Sequence, residues 1–245
     1  MPSNFADQLQ RAFRAWWREE LREKGFARAS TELARRFWGF LRDSTPERRR
    51  SRYGDMEYDW DHRVNTTSGT VGWRERLLGV FYTPYQPTDP AEFREIMAAL
   101  SIDFREFTFI DLGSGKGRTL LMASEYPFKK IVGVEIVPEL HRAAVENVRA
   151  HDSSTRRCSK IETICADARE FDLPEGPLMI YLFNPLSQSE LERFLARLTE
   201  TANRKPKQVI VIDRNSAGDE PLTRSRWKIL TRINQTVIYL CEAMP

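Results

Sequence analysis

The length and composition of the chain limit what kind of protein it can be. It has 245 residues, 41% of them hydrophobic, and a formal net charge of only +3, which suits one α/β domain with an N-terminal extension. Three scattered cysteines argue against a disulfide framework and for a reducing compartment. No metal-ligand spacing, signal-peptide core or apolar run of about 20 residues is visible, so we expect a metal-free, soluble, cytoplasmic protein without a transmembrane segment.

The first 52 residues form a basic extension. Residues 1–52 contain 13 Lys and Arg against 7 Asp and Glu, a net charge of +6, so the rest of the chain carries −3. Within them, apolar residues recur at helical spacing over 5–21 and again over 33–41. The pattern predicts two amphipathic helices broken near Gly25.

Three roles are open for this extension. Its apolar stripe can pack on the rest of the protein, leaving its arginines in solvent. Its basic surface can instead capture nucleic acid or an acidic protein, or attach to an anionic membrane surface.

Residues 53–100 read as a lid or linker followed by a helix. The stretch 52–70 is rich in aromatic, acidic and small polar residues. Asp89, Pro90 and Glu92 then form a helix start, with an N-cap, a proline and a carboxylate in the first turn. We therefore place the core domain at 101–245.

Strand-length apolar runs alternate with longer helical patterns in this core, as a parallel sheet with crossover helices requires. Helices are predicted at about 138–148 and 187–198, and two runs near the end of the chain read as a hairpin. The predicted strands lie at about 107–112, 130–135, 160–165, 177–183 and 207–212.

A glycine loop follows the first of these strands and is preceded by a carboxylate, Asp111. Two phosphate loops are excluded. The dinucleotide fingerprint requires glycine where this chain has Arg118, and the Walker loop requires Ser or Thr where it has Gly117. Asp111 would also repel a pyrophosphate. A ligand with positive charge fits this loop better.

The segment Asp111-Leu-Gly-Ser-Gly-Lys-Gly117 resembles the first motif of class I S-adenosylmethionine-dependent methyltransferases. Later segments resemble the family's further motifs in the same order, over about residues 80–245. The resemblance implies a doubly wound, mostly parallel seven-stranded α/β sheet with an antiparallel last strand. In that family, the segment before the first motif often folds over the cofactor.

The same resemblance implies S-adenosylmethionine as the cofactor and assigns its contacts. Glu135 would hold the ribose hydroxyls, Asp167 would accept from the adenine amine, and the backbone of Ala168 would donate to the ring. The implied cofactor-binding residues are Asp111, Gly113, Ser114, Gly115, Gly117, Glu135, Ile136, Asp167, Ala168 and Asn184.

The residues Asn184 and Pro185 resemble the fourth-strand motif that faces the reacting methyl group. An amide oxygen and a backbone carbonyl can orient an acceptor amine, so these two are the catalytic candidates. The glycine loop and Glu135 also resemble non-SET histone lysine methyltransferases and their bacterial relatives, which favours a protein lysine acceptor. Nucleic acid and small molecules remain alternatives, as does a cofactor-binding regulatory subunit without activity.

Overall fold

The structure, a computed structural model, describes residues 5–42, 45, 56–81, 85–151, 153–183, 188–204, 208–214 and 227–241. The chain divides into two compact units that interleave along the sequence. The first consists of Met1–Glu57 and Thr67–Gln86, and the second of Tyr58–Thr66 and Pro87–Pro245.

The first unit is built on a long helix, α1 (Phe5–Arg42). Gly25 interrupts it with φ 75° and ψ 169°, which confirms the predicted break. The N-terminal half buries its aromatic stripe: Trp16 is 8% exposed and its ring lies 5.9 Å from that of Phe81. The C-terminal half differs, because Trp38 is 69% exposed.

Two further helices are α2 (Met56–His62), where the chain passes into the second unit, and α3 (Trp73–Leu78). The α3 helix contacts α1. Arg36 of α1 donates to the carbonyl of Val80, at 3.0 Å, and lies 5.3 Å from the Trp16 ring.

A seven-stranded sheet forms the centre of the second unit. Its strands are β1 (Thr108–Leu112), β2 (Lys130–Glu135), β3 (Ile161–Cys165), β4 (Leu178–Phe183), β5 (Val209–Arg214), β6 (Trp227–Ile233) and β7 (Thr236–Cys241). Their order is β3-β2-β1-β4-β5-β7-β6. The first five are parallel, and β7 runs antiparallel to both its neighbours. The predicted fold class is confirmed.

Helix α4 (Pro90–Ala98) precedes β1, and three helices connect strands of the sheet: α5 (Arg118–Ser124), α6 (Pro138–Ala150) and α7 (Gln188–Arg204). Asp89 caps α4 by accepting from the backbone amides of Ala91 and Glu92, as predicted. Alternate residues of the central strands enter two separate apolar clusters, one containing Phe109 and the other Ile110. Burial on both faces explains why these strands read as continuous apolar runs.

Candidate cofactor site

The glycine loop lies between β1 and α5, and its backbone requires glycine. Gly113, Gly115 and Gly117 have φ of 83°, 54° and 83°, a region that side chains with a Cβ rarely adopt. The amides of Gly113 and Ser114 both donate to the carbonyl of Val134 on β2, at 2.8 and 3.0 Å. The loop is therefore fixed to the carboxyl end of the neighbouring strand, where open α/β sheets bind ligands.

A fourth glycine, Gly133 on β2, allows α5 to approach the sheet closely. A Cβ at this position would lie 2.5 Å from Cδ1 of Leu120 and 2.9 Å from the Ser114 hydroxyl. We expect Gly133→Ala to reduce the free energy of unfolding by about 1 to 3 kcal/mol, as overpacking does. Denaturant unfolding measures this, with Gly39→Ala as the control, since nothing in the described structure lies within 4 Å of a Cβ there. An equally stable Gly133 variant would contradict the close contact.

Glu135 ends β2 and connects the glycine loop to α6. One carboxylate oxygen accepts from the amide of Gly115 and the other from the amide of Val137, both at 2.8 Å. Burial raises the pKa of Glu135, while hydrogen bonds from the backbone, including the amide of Ile136, act in the opposite direction. Three backbone donors leave at least one of the roughly four acceptor positions of the carboxylate, so it can still accept from a ligand hydroxyl.

Asp111 lies on β1 in register with Gly133 on one side and Tyr181 on the other. It is only 3% exposed. Burial, and then the negative charge of Glu135, raise its pKa to about 8, while a hydrogen bond from Thr119 opposes the rise. Two carboxyl groups on adjacent strands thus share one buried region, which favours a cationic ligand.

The Asp167 side chain follows β3 and is engaged by Arg169. The amide and Nε of Arg169 both donate to Oδ1 of Asp167 at 2.9 Å, and Nε and Nη2 reach Oδ2 at 3.0 and 2.5 Å. Burial would raise the pKa of Asp167, but the hydrogen bonds and charge of Arg169 outweigh it and lower the pKa. An adenine amine at Asp167 would have to compete with Arg169 for these lone pairs.

The backbone brings this loop to the end of β2. The amide of Ala166 donates to the carbonyl of Glu135 at 3.1 Å, and Cys165 is in register with Glu135. Ala168 follows two residues later and is half-buried, as is Ile136 after β2. The acids at the ends of β1, β2 and β3 therefore lie along one edge of the sheet.

The two catalytic candidates, Asn184 and Pro185, lie outside the described residues. The structure describes β4 up to Phe183, the residue before them. Arg214 at the end of β5 lies over the Phe183 ring, 3.8 Å from its centroid, and its Nε donates to Glu92 of α4 at 2.8 Å.

Sequence analysis used Arg118 only to exclude a dinucleotide loop and missed its partners. This side chain, 2% exposed, forms a buried ion pair with Asp59, with Nη2 and Oδ1 3.3 Å apart. Its Nε donates to the Thr66 hydroxyl at 2.6 Å, and its guanidinium lies 5.0 Å from the Tyr58 ring. Asp59 also accepts from the backbone amide of Thr66, at 2.7 Å. The segment Tyr58–Thr66 is thus attached to the start of α5.

Asn147 of α6 attaches the same segment to the glycine loop. Its side-chain oxygen accepts from the amide of Asn65 at 2.8 Å. Its side-chain nitrogen donates to the carbonyls of Asn65 and Lys116 at 3.0 and 2.9 Å. The partners of Arg118 and Asn147 lie 31 to 82 residues away along the chain, so no local motif could have identified them.

The described ranges contain neither a metal-binding cluster nor a membrane-spanning helix. No group of three or more His, Cys, Asp or Glu is arranged there to hold a metal ion. None of the helices described is both long and apolar enough to cross a bilayer.

Comparison with known proteins gives a family match for part of the chain. Residues 109–205 match the sequence model of a methyltransferase domain family. A comparison with curated protein sequences finds no match.

Similar solved structures have low sequence identity to this chain. An RNA methyltransferase from Salinibacter ruber in complex with S-adenosyl-L-homocysteine is 19% identical over 65% of this chain and 94% of its own, with a TM-score of 0.43. The putative methyltransferase YhhF from Escherichia coli is 16% identical over 65% and 90%, with a TM-score of 0.48. The tRNA (m1A58) methyltransferase TrmI from Aquifex aeolicus is 13% identical over 66% and 71%, with a TM-score of 0.44.

Proposed function

We propose that this protein transfers a methyl group from S-adenosylmethionine to an acceptor, because residues 109–205 match the sequence model of a methyltransferase domain. One observation carries the proposal: the Glu135 carboxylate is bonded to the glycine loop and lies beside the buried Asp111. This arrangement combines a close backbone approach with two acidic groups. It suits a ligand with an ammonium, a sulfonium and a ribose diol.

In the proposed orientation, the cofactor lies across the carboxyl ends of β1, β2 and β3. Gly113, Ser114, Gly115, Gly117 and Asp111 would receive the amino-acid end of the cofactor. Glu135 and Ile136 would receive the ribose, and Asp167 with the amide of Ala168 would receive the adenine. Asn184 would lie near the reacting methyl group.

Bound S-adenosylmethionine would supply an electrophilic methyl on sulfur. The contribution of the protein would be placement, because holding two reactants in line can supply about 7 to 11 kcal/mol. A single general base typically contributes only about 10²- to 10⁴-fold. In the proposal, Asn184 and the Pro185 carbonyl would accept protons of an acceptor amine and direct its lone pair.

The acceptor class that we put first is a protein lysine amine. It rests on the resemblance of the glycine loop and the Gly133–Ile136 segment to non-SET histone lysine methyltransferases and their bacterial relatives. Nucleic acid and small molecules are the competing acceptors. Incubation with radiolabelled cofactor and fractionated lysate distinguishes the three, since the label enters protein, nucleic acid or small metabolites.

Calorimetry tests the cofactor assignment. S-adenosylmethionine and S-adenosylhomocysteine should bind, and NAD should not. Binding of NAD alone would show the assignment to be wrong. Binding of the methyl donor without transfer of label to any fraction would favour the alternative, a cofactor-binding regulatory or partner subunit.

Asn184→Ala tests the acceptor side. We expect it to reduce turnover by about 10²-fold or more, within the range of a lost transition-state hydrogen bond, while the affinity for S-adenosylmethionine stays within a few-fold. Single-turnover transfer and calorimetry measure the two effects. Equal losses of binding and turnover would reject an acceptor-side role.

A further inference from the structure

Asp111 is a buried carboxyl group on β1. Among the described residues no Lys or Arg forms an ion pair with it, and the only charged group that raises its pKa is another acid, Glu135 of β2. The ammonium of Lys116, in the adjacent loop, lies 3.4 Å from the side-chain oxygen of Asn65. A desolvated carboxyl group in such surroundings retains its proton.

Three hydroxyl groups lie in the same buried region. Thr119 of α5 forms a hydrogen bond that lowers the pKa of Asp111. Its hydroxyl is 3.5 Å from that of Thr88, which is 3.0 Å from the hydroxyl of Tyr181 on β4. Thr88 and Thr119 are 2% and 6% exposed, and Tyr181 is fully buried.

This cluster can serve both protonation states of Asp111, because a hydroxyl both donates and accepts. Facing a protonated Asp111, Thr119 can accept from the carboxyl and donate to Thr88. Facing a carboxylate, it can donate to Asp111 and accept from Thr88. Two further charged groups, Arg214 and Glu92, shift the pKa of Tyr181 in opposite directions and form an ion pair with each other.

We propose that binding of the cationic methyl donor releases one proton from Asp111 to solvent, and that Thr119 is the positioning residue that controls this release. The inference rests on the proposed function and deepens it. The reaction balances: the protonated carboxyl and the donor ammonium become a carboxylate–ammonium pair, and the proton passes to the buffer.

Proton release has a direct calorimetric signature. Binding of S-adenosylmethionine is measured at about pH 7 in buffers of different ionisation enthalpy, and the dependence of the observed heat on that enthalpy gives the proton count. We expect nearly one proton released per donor, and affinity that falls as the pH is lowered further, because a pKa of about 8 leaves Asp111 mostly protonated in the free protein. The release should fall to about half a proton at pH 8 and disappear only well above it.

Four variants separate Asp111 and Thr119 from general structural effects. Asp111→Asn should bind the donor more weakly and release no proton. Thr119→Val should move the release profile to higher pH, and Thr119→Ser should restore it. Ser124→Ala is the matched control, because this buried hydroxyl on the same helix donates to the carbonyl of Leu121, and its profile should not move.

Each contrary result has a separate meaning. Donor binding without proton release at about pH 7 overturns the inference and leaves the proposed function standing. Release that persists in Asp111→Asn assigns the proton to another group and also overturns it. An unchanged profile in Thr119→Val rejects the role of Thr119; if that variant does not fold, Thr88→Val replaces it and should shift the profile in the same direction. Absence of donor binding at every pH ends both proposals.

Discussion

Replacing Glu135 by alanine is expected to reduce the affinity for S-adenosylmethionine by at least about a hundredfold. The carboxylate is bonded to the amides of Gly115 and Val137 and is proposed to hold the ribose. Hydrogen bonds to a charged group contribute about 1.5 to 3 kcal/mol each, and 1.4 kcal/mol corresponds to tenfold in affinity. Losing the two proposed hydrogen bonds to the ribose hydroxyls therefore reduces the affinity a hundredfold or more.

Calorimetric titration with S-adenosylhomocysteine measures this effect without turnover. Glu162→Ala is the control, because Glu162 lies on the neighbouring strand β3, is half exposed and pairs only with Lys130 among the described residues. Glu135→Gln keeps the size of the side chain but loses one acceptor oxygen, so its affinity should fall between wild type and Glu135→Ala. Unchanged affinity in Glu135→Ala would remove the ribose role.

Replacing Arg118 by methionine is expected to destabilise the protein by about 3 to 5 kcal/mol. The substitution leaves the carboxylate of Asp59, 6% exposed, without its cation, and breaking a buried pair from one side has this cost. For a protein of this size, 1 kcal/mol corresponds to about 2 to 4 °C in the unfolding midpoint. Thermal unfolding should therefore show a loss of more than about 6 °C.

A double replacement separates the unpaired charge from the loss of packing. Arg118→Met combined with Asp59→Leu removes both charges, and we expect it to recover much of the loss, as apolar replacements of buried pairs often do. The exposed pair Arg105 and Asp103 provides the control: Arg105→Met should change stability by less than about 1 kcal/mol. A single Arg118 variant as stable as this control would contradict a structural role for the buried pair.

The sheet could be predicted because the sequence patterns that indicate it involve residues close together in the chain. Strand-length apolar runs, the Asp89 cap and the glycine loop each depend on neighbours within a few residues, and the structure contains all of them. Glu135 could be singled out as an acid that ends a buried strand. Its bond to Gly115 follows from the adjacency of β1 and β2, which a parallel sheet entails.

The contacts of Arg118 and Asn147 could not be predicted in this way. Apart from the Lys116 carbonyl, the partners described come from the segment Tyr58–Thr66, whose composition resembles that of any polar loop. The residues next to an arginine in sequence do not show whether it is buried or solvated. Only the folded chain shows that Arg118 forms an ion pair with Asp59. The engagement of Asp167 by Arg169 was also missed, although the two are only two residues apart, because Asp167 was assigned to adenine alone.

The interleaving of the two units has a practical consequence for shortening this protein. A trimmed version that starts at Pro87 would discard the carboxylate that neutralises Arg118, together with the Asn65 backbone that satisfies the amide group of Asn147. Deleting the first unit alone therefore requires two cuts, before Tyr58 and after Thr66, with an artificial linker in place of residues 67–86. A minimal version designed this way keeps nine residues that a conventional N-terminal truncation would remove.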